Sequence, residues 1–152
     1  MKSFEQLGDM RLDEAAKEPP ALPIGSYLVG ITSPAENITS TQKQTPGWKY
    51  HIKFYQPRED VDREALAAVM AEREMSITDF EMDDIFYITD GSAYLHAQFL
   101  QNVLGLSGMS VKQAVAEASG KQYIVTLRRR PFPRPDGTMG LRTEIGSRAR
   151  AS

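Results

Sequence analysis

Residues Trp48-Lys49-Tyr50-His51-Ile52-Lys53-Phe54-Tyr55 alternate without a break. Successive side chains of a β-strand point to opposite faces of the sheet. Trp48, Tyr50, Ile52 and Phe54 therefore share one face, and Lys49, His51, Lys53 and Tyr55 share the other. A helix would scatter both sets around its circumference, so the stretch demands a sheet with one face turned to a core. The opposite face is basic and ends in an aromatic ring. A lysine-rich solvent face of this kind is common and protects sheet edges. The same face would also serve as a groove floor that tracks a phosphate backbone.

The rest of the chain supplies partners for that strand. Pro23–Thr32 reads as a first strand, with Tyr27, Val29 and Ile31 on one face. Ser33–Gly47 is polar and reads as a long loop, with room for a short strand near Glu36–Thr39. Val61–Glu74 is a good helix former with a narrow apolar stripe at Leu66, Val69 and Met70. Asp84–Thr89 reads as a third strand. Asp90 or Ser92 can cap a helix over Ala93–Leu104, ended by Gly105, and Ser110 opens another that ends at Gly120. Tyr27, Val29, Ile31, Tyr50, Ile52, Phe54, Phe86, Val125 and Leu127 are expected to share one core, capped by Phe99 and Leu100.

Two further β-type segments, Gln122–Leu127 and Leu141–Ile145, flank a basic tip running from Arg128 to Gly140. Prolines stiffen that tip and Asp136-Gly137 supplies turn chemistry. It carries Arg128, Arg129, Arg130, Phe132 and Arg134. Guanidinium groups neutralise phosphate and stack on bases, and a phenylalanine offers a flat face to stack on. An ordinary solvated hairpin loop would have the same composition.

Composition bounds the rest. The 152 residues suit a single domain, and 41% apolar content suffices for a small core. There is no cysteine, so disulfides and thiolate metal sites are excluded. No apolar run approaches the ~20 residues of a membrane helix. The first residues form no apolar signal core, and a cytoplasmic protein is expected. The net charge of −2 conceals an asymmetry. Glu59–Asp90 holds eleven acidic residues against Arg63 and Arg73, whereas Lys121–Ser152 holds eight basic residues against Asp136 and Glu144. The C-terminal third would attract an anion. The acidic block is expected either to lie away from the basic tip or to fold over it as a mimic of DNA.

Five strands, with helices between the third and fourth and an extra helix between the second and third, follow the plan of a small OB-fold-like barrel, mostly β with helical inserts (α+β). The two longest loops, Ser33–Gly47 and Arg128–Gly140, would flank its binding face. The segments Pro23-Ile-Gly-Ser-Tyr-Leu-Val, Phe86-Tyr-Ile-Thr-Asp-Gly-Ser, Phe99-Leu-Gln-Asn-Val-Leu-Gly-Leu and Gly120-Lys-Gln-Tyr-Ile-Val-Thr-Leu resemble phage- and prophage-encoded single-stranded DNA-binding-like proteins. The resemblance spans about Pro23 to Ile145 and its motifs are structural more than chemical. It implies an OB-fold binder that protects single strands in a phage replication or recombination module, in the host cytoplasm. Two departures are present. The chain ends Ser-Arg-Ala-Arg-Ala-Ser where many such binders have an acidic, partner-recruiting tail, and Val61–Glu74 stands where simpler members have a shorter connection.

The expected domains are a flexible leader over residues 1–22, the binding domain over 23–146 and a disordered basic tail over 147–152. Lys49, Lys53, Arg128, Arg129, Arg130 and Arg134 are the candidate phosphate contacts. Tyr55, Phe132 and Trp48 are the candidate stacking residues, although Trp48 suits a core or cleft rim as well. Catalysis finds little support. His51 and His96 lack metal-ligand spacing, His96 reads as partly buried and hydrogen-bonded, and Glu81, Asp83 and Asp84 read as a solvated acidic turn rather than a magnesium site. No phosphate-binding loop or nucleophile elbow is present. No cofactor and no membrane is expected. The expected partners are single-stranded DNA, phage replication or recombination proteins and further copies of the chain. The alternative function is a protein–protein adaptor of such a complex.

Overall fold

The computed structural model describes residues 20–151. The helical turn expected at Asp13–Glu18 lies outside the described residues. The described chain is mostly β with three helices, and its six strands form one antiparallel sheet. The strands are β1 (Gly25–Ile31), β2 (Glu36–Thr39), β3 (Pro46–Pro57), β4 (Glu81–Tyr87), β5 (Gln122–Pro133) and β6 (Met139–Arg150). The helices are α1 (Arg63–Arg73), α2 (Ala93–Gln98), which continues as a wider π turn over Phe99–Val103, and α3 (Val111–Glu117).

The alternating stretch is the heart of the sheet. β3 pairs β1 through Ile52–Pro57 and β2 through Pro46–Lys49 on one edge, and β4 through Gly47–Lys53 on the other. β1 is flanked by β3 and β5, and β5 in turn carries β6. The expected core is present: the nine strand residues named above are buried together, with Phe99 and Leu100 packed on them. Aromatic rings interlock there. Phe99 lies within 5.6 Å of Tyr50, 4.8 Å of Phe86 and 5.0 Å of Tyr123, centroid to centroid. Offset and tilted ring pairs at these separations add to plain area burial. α1 turns Leu66 and Met70 onto the same core, and its N-terminus is capped by Asp62, which accepts from the Ala65 amide at 3.0 Å.

The sheet is open: among the described residues no ladder joins β4 to β6, the pairing that would close the expected five-stranded barrel. Three expectations are corrected. The third strand runs Glu81–Tyr87, not Asp84–Thr89, so Glu81, Asp83 and Asp84 are strand residues and not a solvated turn. The tip does not span Arg128–Gly140: both strands continue through it, pairing Arg128↔Glu144 up to Pro133↔Met139. Pro131 and Pro133 are tolerated because the β1–β5 ladder ends at Leu127, which leaves β5 paired on one edge only beyond that point. The tail expected to be disordered over 147–152 is strand to Arg150, where Tyr123↔Arg150 and Val125↔Arg148 pair. Ser147, Arg148, Ala149 and Arg150 lack the apolar alternation that marks a strand, and their pairing comes from β5.

Candidate nucleic-acid interface

The register of β5 and β6 divides their hairpin into two parts. Its root, Gln122–Leu127 with Ile145–Arg150, is held by β1 and the core. Its outer part, Arg128–Pro133 with Met139–Glu144, has no other sheet neighbour among the described residues and forms an arm. Alternation gives the arm two faces. Arg128, Arg130 and Phe132 continue the outward row of Ile124 and Thr126, opposite Glu144, Arg142 and Gly140. Arg129, Pro131 and Pro133 continue the core-facing row, opposite Thr143, Leu141 and Met139.

The outward face concentrates charge around one ring. The Arg142 guanidinium lies 4.8 Å from the Phe132 centroid and that of Arg134 lies 6.0 Å from it. Gly140 makes this possible, because a Cβ there would come within 2.8 Å of the Phe132 ring. Arg128 donates Nε–H to Glu144 Oε1 at 2.9 Å, so part of its charge is answered within the arm. Arg130 and Arg142 face each other directly in the ladder. Like charges directly opposite are destabilising, and among the described residues neither has a carboxylate partner. The backbone thus holds two cations together beside an aromatic face.

The basic face of β3 is built differently. Its sheet neighbours place Glu36 beside Lys49, Asp83 beside His51 and Glu81 beside Lys53. Lys49 Nζ lies 3.7 Å from Glu36 and 4.0 Å from Asp83. His51 sits between the same carboxylates, with Nδ1 2.6 Å from Asp83 and Nε2 3.3 Å from Glu36. Hydrogen bonding to Glu36 is the chief cause of a raised His51 pKa, and Asp83 adds to it. A neutralised patch of this kind offers little net field to a phosphate chain. Tyr55 is exposed on the same face, its ring laid over Gly30, where a Cβ would meet the ring at 2.6 Å. Trp48 is on the opposite face of β3, half-buried and stacked on His96 at 6.3 Å. Arg129 points to the arm's other face. Of the nine candidates, Arg128, Arg130, Phe132 and Arg134 are therefore brought together, Lys49, Lys53 and Tyr55 form a separate patch, and Trp48 and Arg129 belong to neither.

Arg142, Asp84 and Arg148 carry no obvious mark of their roles in the sequence. Arg142 alternates with Leu141 and Thr143, a pattern that predicts its face but not its place opposite Arg130. Asp84 is buried and accepts from Tyr123 Oη at 2.7 Å, from Arg148 Nε at 2.8 Å and from Arg148 Nη2 at 2.5 Å. Arg148 also covers the Phe86 ring at 4.3 Å. Strand β6 is thereby tied to β4 by side chains where no ladder joins them. Burial, and then the Asp84 carboxylate, push the Tyr123 phenol well above its ordinary pKa. His96 is buried with Nε2 2.6 Å from Tyr50 Oη, and burial lowers its pKa to about 4. It stays neutral at pH 7 and shares a hydrogen bond with the Tyr50 phenol.

The members of the acidic block serve separate local tasks. Asp60 accepts from the Ser26 amide and hydroxyl, each at 2.9 Å, Asp79 caps the turn at Ser76, and Asp84 meets Arg148. Beside the Asp84–Arg148 pair lies a cleft of about 410 Å³ between β4, α2 and β6. Its surroundings leave Ile85, Tyr87, Tyr94 and Leu95 exposed. No helix among the described residues is long and apolar enough to cross a membrane. The chain matches no protein-family model and no curated protein.

Proposed function

We propose that this chain is a non-catalytic single-stranded DNA-binding protein, of the kind that phage replication and recombination modules use in the host cytoplasm. One observation carries the reading: Arg130 and Arg142 are held opposite each other beside Phe132, and among the described residues neither has a carboxylate partner. That arrangement is unfavourable alone and favourable once a phosphate lies across it. Phe132, levelled onto Gly140, presents a stacking surface to a base. Phosphate contact and stacking carry little base information, so binding is largely independent of sequence. Arg134 and Arg128 widen the charged strip, and Tyr55 with Lys53 lies on the same outward side of the sheet as a second stacking point.

The strand plan supports an OB-fold-like barrel for this binder. The order β4-β3-β1-β5-β6 wraps the core, and the Arg148–Asp84 pair spans the seam that a ladder would close. Titration of fluorescent oligothymidine with the full chain across a salt series tests the function. Affinity that falls steeply with salt supports it, and no binding at low salt overturns it. The adaptor reading is favoured by a different observation, the exposed apolar group Ile85, Tyr87, Tyr94 and Leu95 around the cleft. It gains if oligothymidine does not bind.

A further inference from the structure

The edges of the sheet are unequal. β2 is four residues long, and β4 carries Glu81, Asp83 and Asp84 within its seven. β6 runs for twelve residues without a lysine or a proline, and among the described residues β5 is its one ladder partner. A long edge of unpaired amides and carbonyls is a template for another strand, and short length or edge charge is the usual protection. At the root, Arg148 and Arg150 close this edge on Asp84 and the Asn102 carbonyl, which leaves the arm stretch Met139–Ile145. Pro131 and Pro133 show which backbone groups of that stretch point outward. A proline has no N–H to give a ladder, so both fit the pairs that make no bond across it. Their opposites, Leu141 and Met139, therefore turn their N–H and C=O groups to the outer edge, and with period two Thr143 and Ile145 do the same. The Arg134 amide, which donates to Thr138 at 2.8 Å, keeps the complementary phase.

The side chains of the stretch complement themselves. Arg142 and Glu144 lie on the arginine face, and Leu141 and Ile145 lie on the other. A second β6 laid antiparallel with Thr143 opposite Thr143 sets Arg142 against Glu144 and Leu141 against Ile145, once on each side of the centre. Opposite charges directly across a ladder support it. Leu141, 60% exposed in the single chain, gains an apolar neighbour. A slip of two residues either way sets Arg142 against Arg142 or Glu144 against Glu144, which is destabilising. A slip of one residue mixes the charged and apolar rows. Both the backbone phase and the charges therefore select one register, and it is symmetric.

We infer that two copies of this chain associate edge to edge through β6, antiparallel and centred on Thr143. The two-fold axis of such a pair stands perpendicular to the sheet, so both arginine faces lie on one side of the joined arms. Arg142 gains a carboxylate from the second copy, while Arg130 and Phe132 stay open on both. This association stands apart from the nucleic-acid reading, and no DNA enters its test. Sedimentation equilibrium of the full chain should show a monomer–dimer exchange that shifts toward dimer with concentration. A parent chain that stays monomeric overturns the proposal. Glu144→Arg sets like charges opposite each other on both sides of the centre, and so does Arg142→Glu. Each variant alone should weaken the dimer by about tenfold or more. An equimolar mixture of the two should restore it, because the arginines of one chain then face the glutamates of the other. Variants that dimerise like the parent chain, or a mixture that stays monomeric, overturn the proposal. Hydrogen exchange of the parent chain reads the register directly. On dilution to monomer the amides of Leu141 and Thr143 should exchange about tenfold faster, while those of Arg142 and Glu144, bonded to β5, keep their protection. An equal change at all four, or none, overturns it as well.

Discussion

The root and the arm of the β5–β6 hairpin use the same residue for opposite ends. At the root, Arg148 is partly buried, lies over Phe86 and grips Asp84 through two bonds. On the arm, Arg130 and Arg142 stand exposed and opposed. The first arginine answers a buried charge inside the chain. Among the described residues the others have no carboxylate partner. What separates them is register, because the arginines of this region alternate similarly in sequence and only their cross-strand neighbours differ.

The sharpest way to break this contrast is to remove the root arginine. Arg148→Ala leaves the Asp84 carboxylate buried with only Tyr123, and breaking one side of such a pair costs about 3–5 kcal/mol. Urea denaturation should show that loss. Replacing both partners, Asp84→Leu with Arg148→Met, should recover most of it. If Arg148→Ala is as stable as the parent chain, the side-chain link across the seam contributes nothing.

The next effect is a pH dependence of the core. His96 has a folded pKa of about 4 against an ordinary 6.5. Its folded form binds fewer protons than the unfolded chain between those values, so stability rises with pH across that window and falls on acidification. The difference corresponds to roughly 3 kcal/mol. His96→Gln should flatten the stability profile between pH 4 and 6.5. An unchanged slope would show that another group sets it.

On the arm, substitutions should move binding and leave stability nearly untouched. Phe132→Ala should weaken oligothymidine binding by roughly 1–3 kcal/mol at every salt concentration, with the salt slope preserved. Arg130→Ala with Arg142→Ala should instead flatten the slope of log affinity against log salt by about one to one and a half units. Arg128→Ala should flatten it less than Arg130→Ala or Arg142→Ala alone, since Glu144 already holds that guanidinium. Parent-like binding by both the Phe132 and the double arginine variants would place the interface elsewhere.

The smallest effect belongs to His51. Its pKa is raised, chiefly by Glu36, so its contribution is complete below the ordinary value of 6.5 and is lost as pH climbs through the higher folded value. The pair is exposed and screened. His51→Gln should therefore change the denaturation midpoint only slightly below pH 6.5 and not at all well above the folded pKa. A large change would mean that the Glu36–His51–Asp83 cluster supports more of the sheet than its exposure suggests.

Alternation alone determined most of the core. Tyr50, Ile52 and Phe54 had to share a face with period two, and Tyr27, Val29, Val125 and Leu127 followed the same rule; all are buried together. Helix caps at Asp62 and Ser110 were likewise local matters, decided by a side-chain oxygen meeting an amide within one turn. Charge could not be read this way. Lys49 and Lys53 look like a phosphate-binding row in one dimension, yet β2 and β4 bring Glu36, Asp83 and Glu81 beside them. Asp84 looks like a turn residue until the sheet turns it inward to Arg148, and Ser147–Arg150 looks like a loose tail until β5 offers it a ladder. Burial preference is a property of a residue and its near neighbours in sequence. Electrostatic pairing depends on which distant strand lies alongside and in what register, and only the folded sheet decides that.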